Sequence, residues 1–302
     1  QWFLERGNAE DWFESRLITS LAIISVVSGA LFIWWELKTP HPAVNLRVLK
    51  HRSLAAGSMF SALLGMGLYG TIFAVPIFAQ QVLHFTSMQV GILLIPGALA
   101  AGFNMPIMGR LIGRVDTRIL ITCGAIVTSL VMFSLARINT TMGQEALFWP
   151  LLFRGVGISM MFLPLSVATI GPVPRKDIGS ASGFYNLTRQ LGGSIGIAIL
   201  TTLISQRAAY HFARLTDHVT LYSQATQHRL SAITNGLVAS GSDLSTAKAQ
   251  ALQIVSGLLH VQAYTLSFAD AFRIGGVAFF LVLPLVFFLG RGIIKRQAPD
   301  TL

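Results

Sequence analysis

Uncharged, mostly apolar runs alternate with short clusters of Lys and Arg along most of the chain. A helix that crosses the hydrocarbon core of a bilayer needs about 20 such residues. Runs of that length predict spans at 17–35, 54–79, 88–108, 119–136, 147–170, 179–205 and 271–290. No charged residue occurs between 53 and 109, which is too long for one span, and the segment 83–89 divides it in two. Between the sixth and seventh runs the pattern changes. Ala247, Ala251, Ile254, Val255, Leu258 and Leu259 recur at helical spacing after Asp243 and Ser245, either of which suits an N-cap. Leu230, Ile233, Leu237 and Val238 do the same before Ser240-Gly241-Ser242, so 206–269 predicts an amphipathic helical hairpin.

Composition agrees with a membrane protein. Of the 302 residues, 53% are hydrophobic and 11% charged, against about 25% charged in soluble domains. The net charge of +10 does not build a nucleic-acid-binding face, because the cations are scattered between spans. They are also asymmetric. Lys38, Arg47, Lys50, Arg52, Arg110, Arg114, Arg118, Arg175, Lys176, Arg291, Lys295 and Arg296 fall in one alternate set of short loops, and Arg6, Arg16 and Arg137 in the other. The first set is therefore expected in the cytoplasm, which leaves the hairpin outside. Cys123 is the single cysteine, so neither a disulfide framework nor a cysteine-based zinc site is expected. No signal-peptide pattern opens the sequence, and Gln1 to Leu4 suit the last turn of a helix, so a piece of a longer chain is expected.

Polar residues inside spans carry the candidate chemistry. Arg154 and Arg189 interrupt the fifth and sixth runs, and a buried charge in a membrane faces a cavity or a partner. Two readings stand for each arginine: it lines the translocation cavity, pairing with a carboxylate elsewhere, or it staples helices by satisfying backbone carbonyls. Asn186 and Gln190 lie four apart beside Arg189, giving that helix a polar face. Gln80 and Gln81 end the second run, where they suit an outer vestibule. Met59, Met66, Tyr69 and Phe73 in the same run fit either helix packing or a soft wall for apolar cargo. Glycines recur four apart at Gly109 and Gly113, Gly179 and Gly183, and Gly192 and Gly196, the spacing that lets membrane helices approach closely. Pro76, Pro96, Pro106, Pro164 and Pro284 mark candidate bends. His211, His218, His228 and His260 lack zinc-site spacing and are expected on a solvated surface. Glu36 and Asp270, the acids nearest the spans, are placed where helix meets water, leaving the span interiors without a carboxylate. Neither a catalytic set nor a metal site emerges, so an enzyme is not expected.

Leu4-Glu5-Arg6-Gly7, Asp11-Trp12-Phe13 and Ser15 precede the first run, and Trp35-Glu36, Pro42, Asn45-Leu46-Arg47 and His51-Arg52 follow it. Further on stand Val75-Pro76, Gln80-Gln81-Val82-Leu83, Gly109-Arg110-Leu111 with Asp116-Thr117-Arg118, and the run Asn186 to Gly196. In order and spacing these resemble the fourteen-span drug:proton antiporters of the EmrB/QacA type within the major facilitator superfamily. The resemblance implies an all-α membrane protein, a six-helix bundle preceded by one linker transmembrane helix, forming the C-terminal half of the transporter. It divides the chain into an external loop after a truncated helix (1–16), the linker helix (17–36), a basic cytoplasmic loop (37–53), five transmembrane helices (54–205), the external hairpin (206–269), a last transmembrane helix (270–290) and a cytoplasmic tail (291–302).

What the resemblance implies for function is export of hydrophobic drugs in exchange for protons, with no cofactor and the proton as coupling ion. Location would be the bacterial inner membrane, and the partners the missing N-terminal half, membrane lipid and, in some members, a periplasmic adaptor and outer-membrane channel, with no nucleic acid. The hairpin then fits a cover on the outer mouth or a docking surface. Gly109, Arg110, Gly113, Arg114, Asp116 and Arg118 would form the superfamily's loop motif, with Gly113 at its acidic position and an Asp three residues later. Export of a metabolite or amino acid, or a non-transport scaffold, are the alternatives.

The charge asymmetry makes a direct prediction. In a Cys123→Ala background, Lys50→Cys and Gln224→Cys are expected to react with an impermeant thiol reagent from opposite sides of the membrane. Reaction of both from outside would overturn the orientation.

Overall fold

The computed structural model describes residues 16–39, 52–220 and 222–288. Most of the loops expected at 1–16 and 37–53, and all of the tail expected at 291–302, lie outside the described residues. Within them the secondary structure is helical, with no strand beyond one isolated bridge between Ile112 and Val115. The helices are α1 (Arg16–Lys38), α2 (Arg52–Gln81), α3 (Ser87–Leu111), α4 (Thr117–Leu135), α5 (Gln144–Ile170), α6 (Ile178–His218), α7 (Gln224–Ala239) and α8 (Leu244–Val282). Short 3-10 turns precede α6 at Arg175–Asp177 and follow α8 at Leu283–Phe288.

Local chemistry sets the starts and stops. The long uncharged stretch breaks after Gln81, and α3 opens with a reciprocal cap. The Thr86 hydroxyl accepts from the Gln89 N–H (3.3 Å), and the Gln89 side-chain oxygen accepts from the Thr86 N–H (2.8 Å). Asp116 caps α4 by accepting from the Arg118 N–H at 3.0 Å. Gly241 turns the chain with φ +98°, and Asp243 then caps α8, accepting from the Ser245 N–H at 3.0 Å. Hydrogen bonds from Ser245 hold the Asp243 carboxyl below the usual carboxylate range.

Among the described residues six helices, α1 to α5 and the helical stretch that includes α6, are long and apolar enough to cross a membrane. The seventh expected span falls on α8 and the 3-10 turn after it, and its last two residues lie outside the described part. On α1 only Ile18 and Glu36 are buried. Its Ile24, Val26, Leu31 and Trp35 are exposed, as expected of a helix in contact with lipid on many sides. Lys38 lies 5.0 Å over the Trp34 ring, the aromatic and basic pairing found at membrane interfaces.

The bundle is built from paired helices. α2 lies along α6, α5 packs against both α3 and α4, and α8 closes against α6 and α4. These pairs approach backbone to backbone. A Cβ on Gly155 of α5 would stand 2.0 Å from the Gly97 carbonyl oxygen of α3, and one on Gly192 of α6 would stand 2.2 Å from that of Ala62 on α2. Gly196 repeats the contact one turn on, 2.4 Å from the Met66 oxygen. By contrast a Cβ at Gly109, Gly113, Gly179 or Gly183 would meet nothing within 4 Å. Of the three four-residue spacings, only Gly192 and Gly196 form a described helix contact. Between α2 and α8, Phe78 and Phe268 meet edge to face with centroids 5.5 Å apart.

Outside the expected membrane band the helices do not stop. α6 has 41 residues and α8 has 39; at 1.5 Å per residue each is about 60 Å long, twice a hydrocarbon core of about 30 Å. The boundaries expected at 205/206 and 269/270 therefore fall inside continuous helices. No Gly or Pro stands between 197 and 218 or between 258 and 274 to break them. The segment 206–269 consists of the end of α6, the separate α7, and the first turns of α8, with α7 folded back on α8.

Glycine contacts of this kind leave no room for a methyl group. Gly155→Ala is expected to lower stability by about 1–3 kcal/mol through overpacking, whereas exposed Gly179→Ala is expected to stay within about 0.5 kcal/mol of the parent. Thermal unfolding of the purified proteins in detergent compares the two. Equal effects would contradict the close α3–α5 approach.

Candidate functional site

The polar face of α6 centres on Arg189. Its guanidinium lies 4.5 Å over the Phe162 ring of α5 and 5.9 Å from the Tyr185 ring one turn back on its own helix. It also donates to the Asn186 Oδ1 at 2.9 Å, and the Asn186 amide donates to the Ser182 carbonyl at 3.0 Å. Cation–π contacts contribute about 0.5–2 kcal/mol each, more as water is excluded. The charge is thus held by aromatic faces and an amide. Asn186 and Gln190 are exposed beside it, and Arg189 is half-buried. Tyr69 of α2 joins this region through Gly193: a Cβ there would meet the Tyr69 ring at 2.5 Å. The Arg189 carbonyl itself faces Gly65 of α2, where a Cβ would stand 2.2 Å away. One arginine therefore sits on the α2–α6 crossing and touches α5 as well.

The other sequence candidates lie elsewhere. Arg154 is buried, 7% exposed, on the turn of α5 that abuts α3; Phe162 is about 12 Å further along the axis, so the two arginines occupy different levels. Met66 lines an apolar cavity of about 180 Å³ with Phe60, Leu64, Phe272 and Phe279, apart from the polar face. Gln80 and Gln81 are exposed on the last turn of α2, and Met59 and Phe73 are exposed apolar side chains on the same helix. The loop motif forms a tight turn between α3 and α4. Gly109, Arg110, Gly113 and Arg114 are exposed there, and Arg118 is half-buried. Gly113 has φ +98°, a left-handed conformation that an acidic side chain would strain, which accounts for glycine at that position. Asp116 is occupied as the cap of α4.

Three polar features escaped the sequence reading. Asn104 of α3 donates to Ser159 Oγ of α5 at 2.7 Å, joining residues whose separation in the chain hides the pairing. Ser129 of α4 donates to the Gly276 carbonyl of α8 at 2.9 Å. The third is a cluster on Asp270, expected where helix meets water. It is only 20% exposed and takes His211 Nε2 at 2.9 Å, Arg273 Nη1 at 3.5 Å and Arg207 Nε at 3.9 Å. His211 is therefore a half-buried partner of α8, not a solvated surface residue. His260 stays exposed, as expected, while stacking on Phe212 with centroids 4.0 Å apart. Glu36, also expected at water, is buried at 5% exposure. The spacing of His211 and Asp270, 59 residues apart, carried no local signal.

Among the described residues no group of His, Cys, Asp or Glu is arranged to hold a metal. The arrangement is a half-buried cation with neighbouring amides on one face of α6, and an apolar hollow apart from it.

The model of the Major Facilitator Superfamily matches residues 16–197. The chain belongs to the major facilitator superfamily. Its relatives include the fatty acid resistance protein FarB of Neisseria gonorrhoeae, 30% identical over 286 residues, covering 95% of this chain and 55% of that protein. The multidrug export protein EmrB of Escherichia coli is 29% identical over 289 residues, with 95% and 55% covered. The colistin resistance protein EmrB of Acinetobacter baumannii is 27% identical over 293 residues, with 97% and 56% covered. The chain spans about half the length of the curated relatives it matches. As a superfamily member with several apolar helices, it is an all-α, multi-pass protein of the bacterial inner membrane related to the EmrB type.

The Asn104–Ser159 bond is testable alone. Polar contacts between membrane helices average about 0.6 kcal/mol and reach about 1.7. A double-mutant cycle with Asn104→Ala and Ser159→Ala, read by thermal unfolding, is expected to give a coupling in that range. Strict additivity would show that the bond contributes nothing.

Proposed function

We propose that this chain is the C-terminal half of a secondary active multidrug exporter that exchanges hydrophobic drugs for protons. The observation that carries the reading is Arg189: a cation inside an apolar span, held on Phe162 and Tyr185 beside the exposed Asn186 and Gln190. Such a group is costly in a membrane and belongs where cargo or a partner charge meets it. The similarity to proteins named for multidrug export and for fatty acid resistance supports hydrophobic or amphiphilic cargo. Coverage of about half their length supports a first half elsewhere in the natural protein. Met66 and Tyr69 would supply adaptable wall, and Arg154 would brace α5 behind it. Gln80 and Gln81 would line the outer vestibule, and the loop from Gly109 to Arg118 would lie on the cytoplasmic side.

Proton coupling needs a group that gains and loses a proton as it faces each side, and a desolvated carboxylate suits that because burial raises its pKa. No Asp or Glu lies at the Arg189 face among the described residues. The coupling acid is therefore placed in the other half, with Arg189 as a cationic counterpart. The part of the chain beyond the membrane, including α7, would cover the outer mouth or dock a periplasmic adaptor that leads to an outer-membrane channel.

In the complete natural chain, Arg189→Ala is expected to abolish drug resistance at near-normal membrane abundance. Glu36→Gln combined with Asp270→Asn is expected to keep substrate-driven proton release in proteoliposomes. Loss of abundance in step with resistance would make Arg189 a structural staple. Loss of proton release with drug binding retained would place the coupling acid in this chain.

A further inference from the structure

The apolar cavity and the Asp270 cluster meet. The cavity runs along α2 from Phe60 to Gly70 and along α6 from Gly196 to Leu203, with α8 forming its third wall. The seven residue steps from Gly196 to Leu203 correspond to about 10 Å of depth, and a closed apolar cavity of about 150 Å³ already holds a benzene ring. Ile199 of α6 and Ile274 and Ala278 of α8 line it and are exposed, so its mouth opens sideways between these helices through apolar residues. One turn above Leu203 stands Arg207, and one turn before Ile274 stands Asp270. The apolar run of α6 ends at Ser205 and that of α8 begins at Ala271, which puts the cluster at the level of lipid headgroups.

The charges there do not cancel. Two arginines and a histidine surround one carboxylate, and Arg207 and Arg273 keep 45% and 62% of their side chains exposed. Both guanidiniums therefore have donors to spare for an anion at the mouth of an apolar slot. A zwitterionic or neutral headgroup would leave that surplus uncompensated.

We propose that this slot binds one acyl chain of an anionic phospholipid from the surrounding bilayer, with its phosphate on Arg207 and Arg273. The second chain stays in the hydrocarbon outside the mouth. The slot lies apart from Arg189, shares only Met66 with the cargo wall proposed above, and does not depend on what the transporter exports. A bound lipid wedged between α2, α6 and α8 fills the space that small side chains leave open there.

The test is native mass spectrometry of the complete natural chain, released from nanodiscs containing equal amounts of phosphatidylglycerol and phosphatidylethanolamine with identical chains. Phosphatidylglycerol is expected to remain bound in preference. Arg207→Gln with Arg273→Gln should lower its retention about tenfold, taking each basic residue near the surface as a substantial part of the attraction. Gly70→Leu, where a Cβ has only ordinary contacts of 3.7 Å or more, should lower it by filling the slot. Ala278→Phe on the exposed rim should do the same by closing the mouth, and its position leaves folding intact if the deeper variant fails. Equal retention of both lipids, or phosphatidylglycerol retention unchanged by the arginine pair and by Ala278→Phe, would overturn the proposal. So would retention of added oleate but not of phosphatidylglycerol, which would assign the slot to a free fatty acid.

Discussion

At Gly155 the backbone of α5 lies so close to the Gly97 carbonyl of α3 that a methyl group would overlap it at 2.0 Å, and the rest of the bundle depends on contacts of that kind. In a bilayer, apolar side chains gain little by leaving lipid for one another, so helix association comes from close packing and a few hydrogen bonds. Gly65, Gly192 and Gly196 repeat the arrangement between α2 and α6. α5 is shared: Gly155 faces α3, while Gly157 faces Thr128 and Gly124 of α4. The Gly-x-Gly at 155 and 157 is thus a two-sided packing element.

Close approach also determines where polar groups can go. Asn104 reaches Ser159 only because α3 and α5 nearly touch, and Arg189 lies over Phe162 only because α6 and α5 meet near the α2 crossing. The cation is stabilised by ring faces and an amide, not by a carboxylate, so it remains able to meet an anionic group. Arg154, buried a few turns away, has no such opening. Two arginines with the same sequence signature therefore have different environments. Where the apolar runs of α6 and α8 give way to polar residues the bundle changes method: Asp270 ties α6 to α8 through several charged partners, and His260 stacks on Phe212.

Much of this architecture was legible in the order of residues. Uncharged length located most of the apolar helices, Asp243 was one of two residues read as the start of a helix that the structure begins at Leu244, and low charge excluded a soluble fold. Glycine spacing was less informative. Gly179 and Gly183 have the same four-residue interval as Gly192 and Gly196, yet only the second pair meets a helix. Which face of α6 turns toward α2 depends on the axial position and rotation of both helices, and neither is encoded in an interval along one of them.

By itself the sequence determined that the chain lives in a membrane and which apolar runs carry unusual charge, because hydropathy reports the solvent each residue tolerates. It did not determine where those helices end. α6 and α8 run on far past the point where their apolar character stops, because an α-helix needs only its own backbone bonds and no breaker intervenes. Only the tertiary structure decided which glycines face a neighbour, that Arg189 lies on the Phe162 ring, and that His211 belongs to Asp270. Each of those contacts joins residues on different helices, and contacts between helices are set by how whole surfaces interlock.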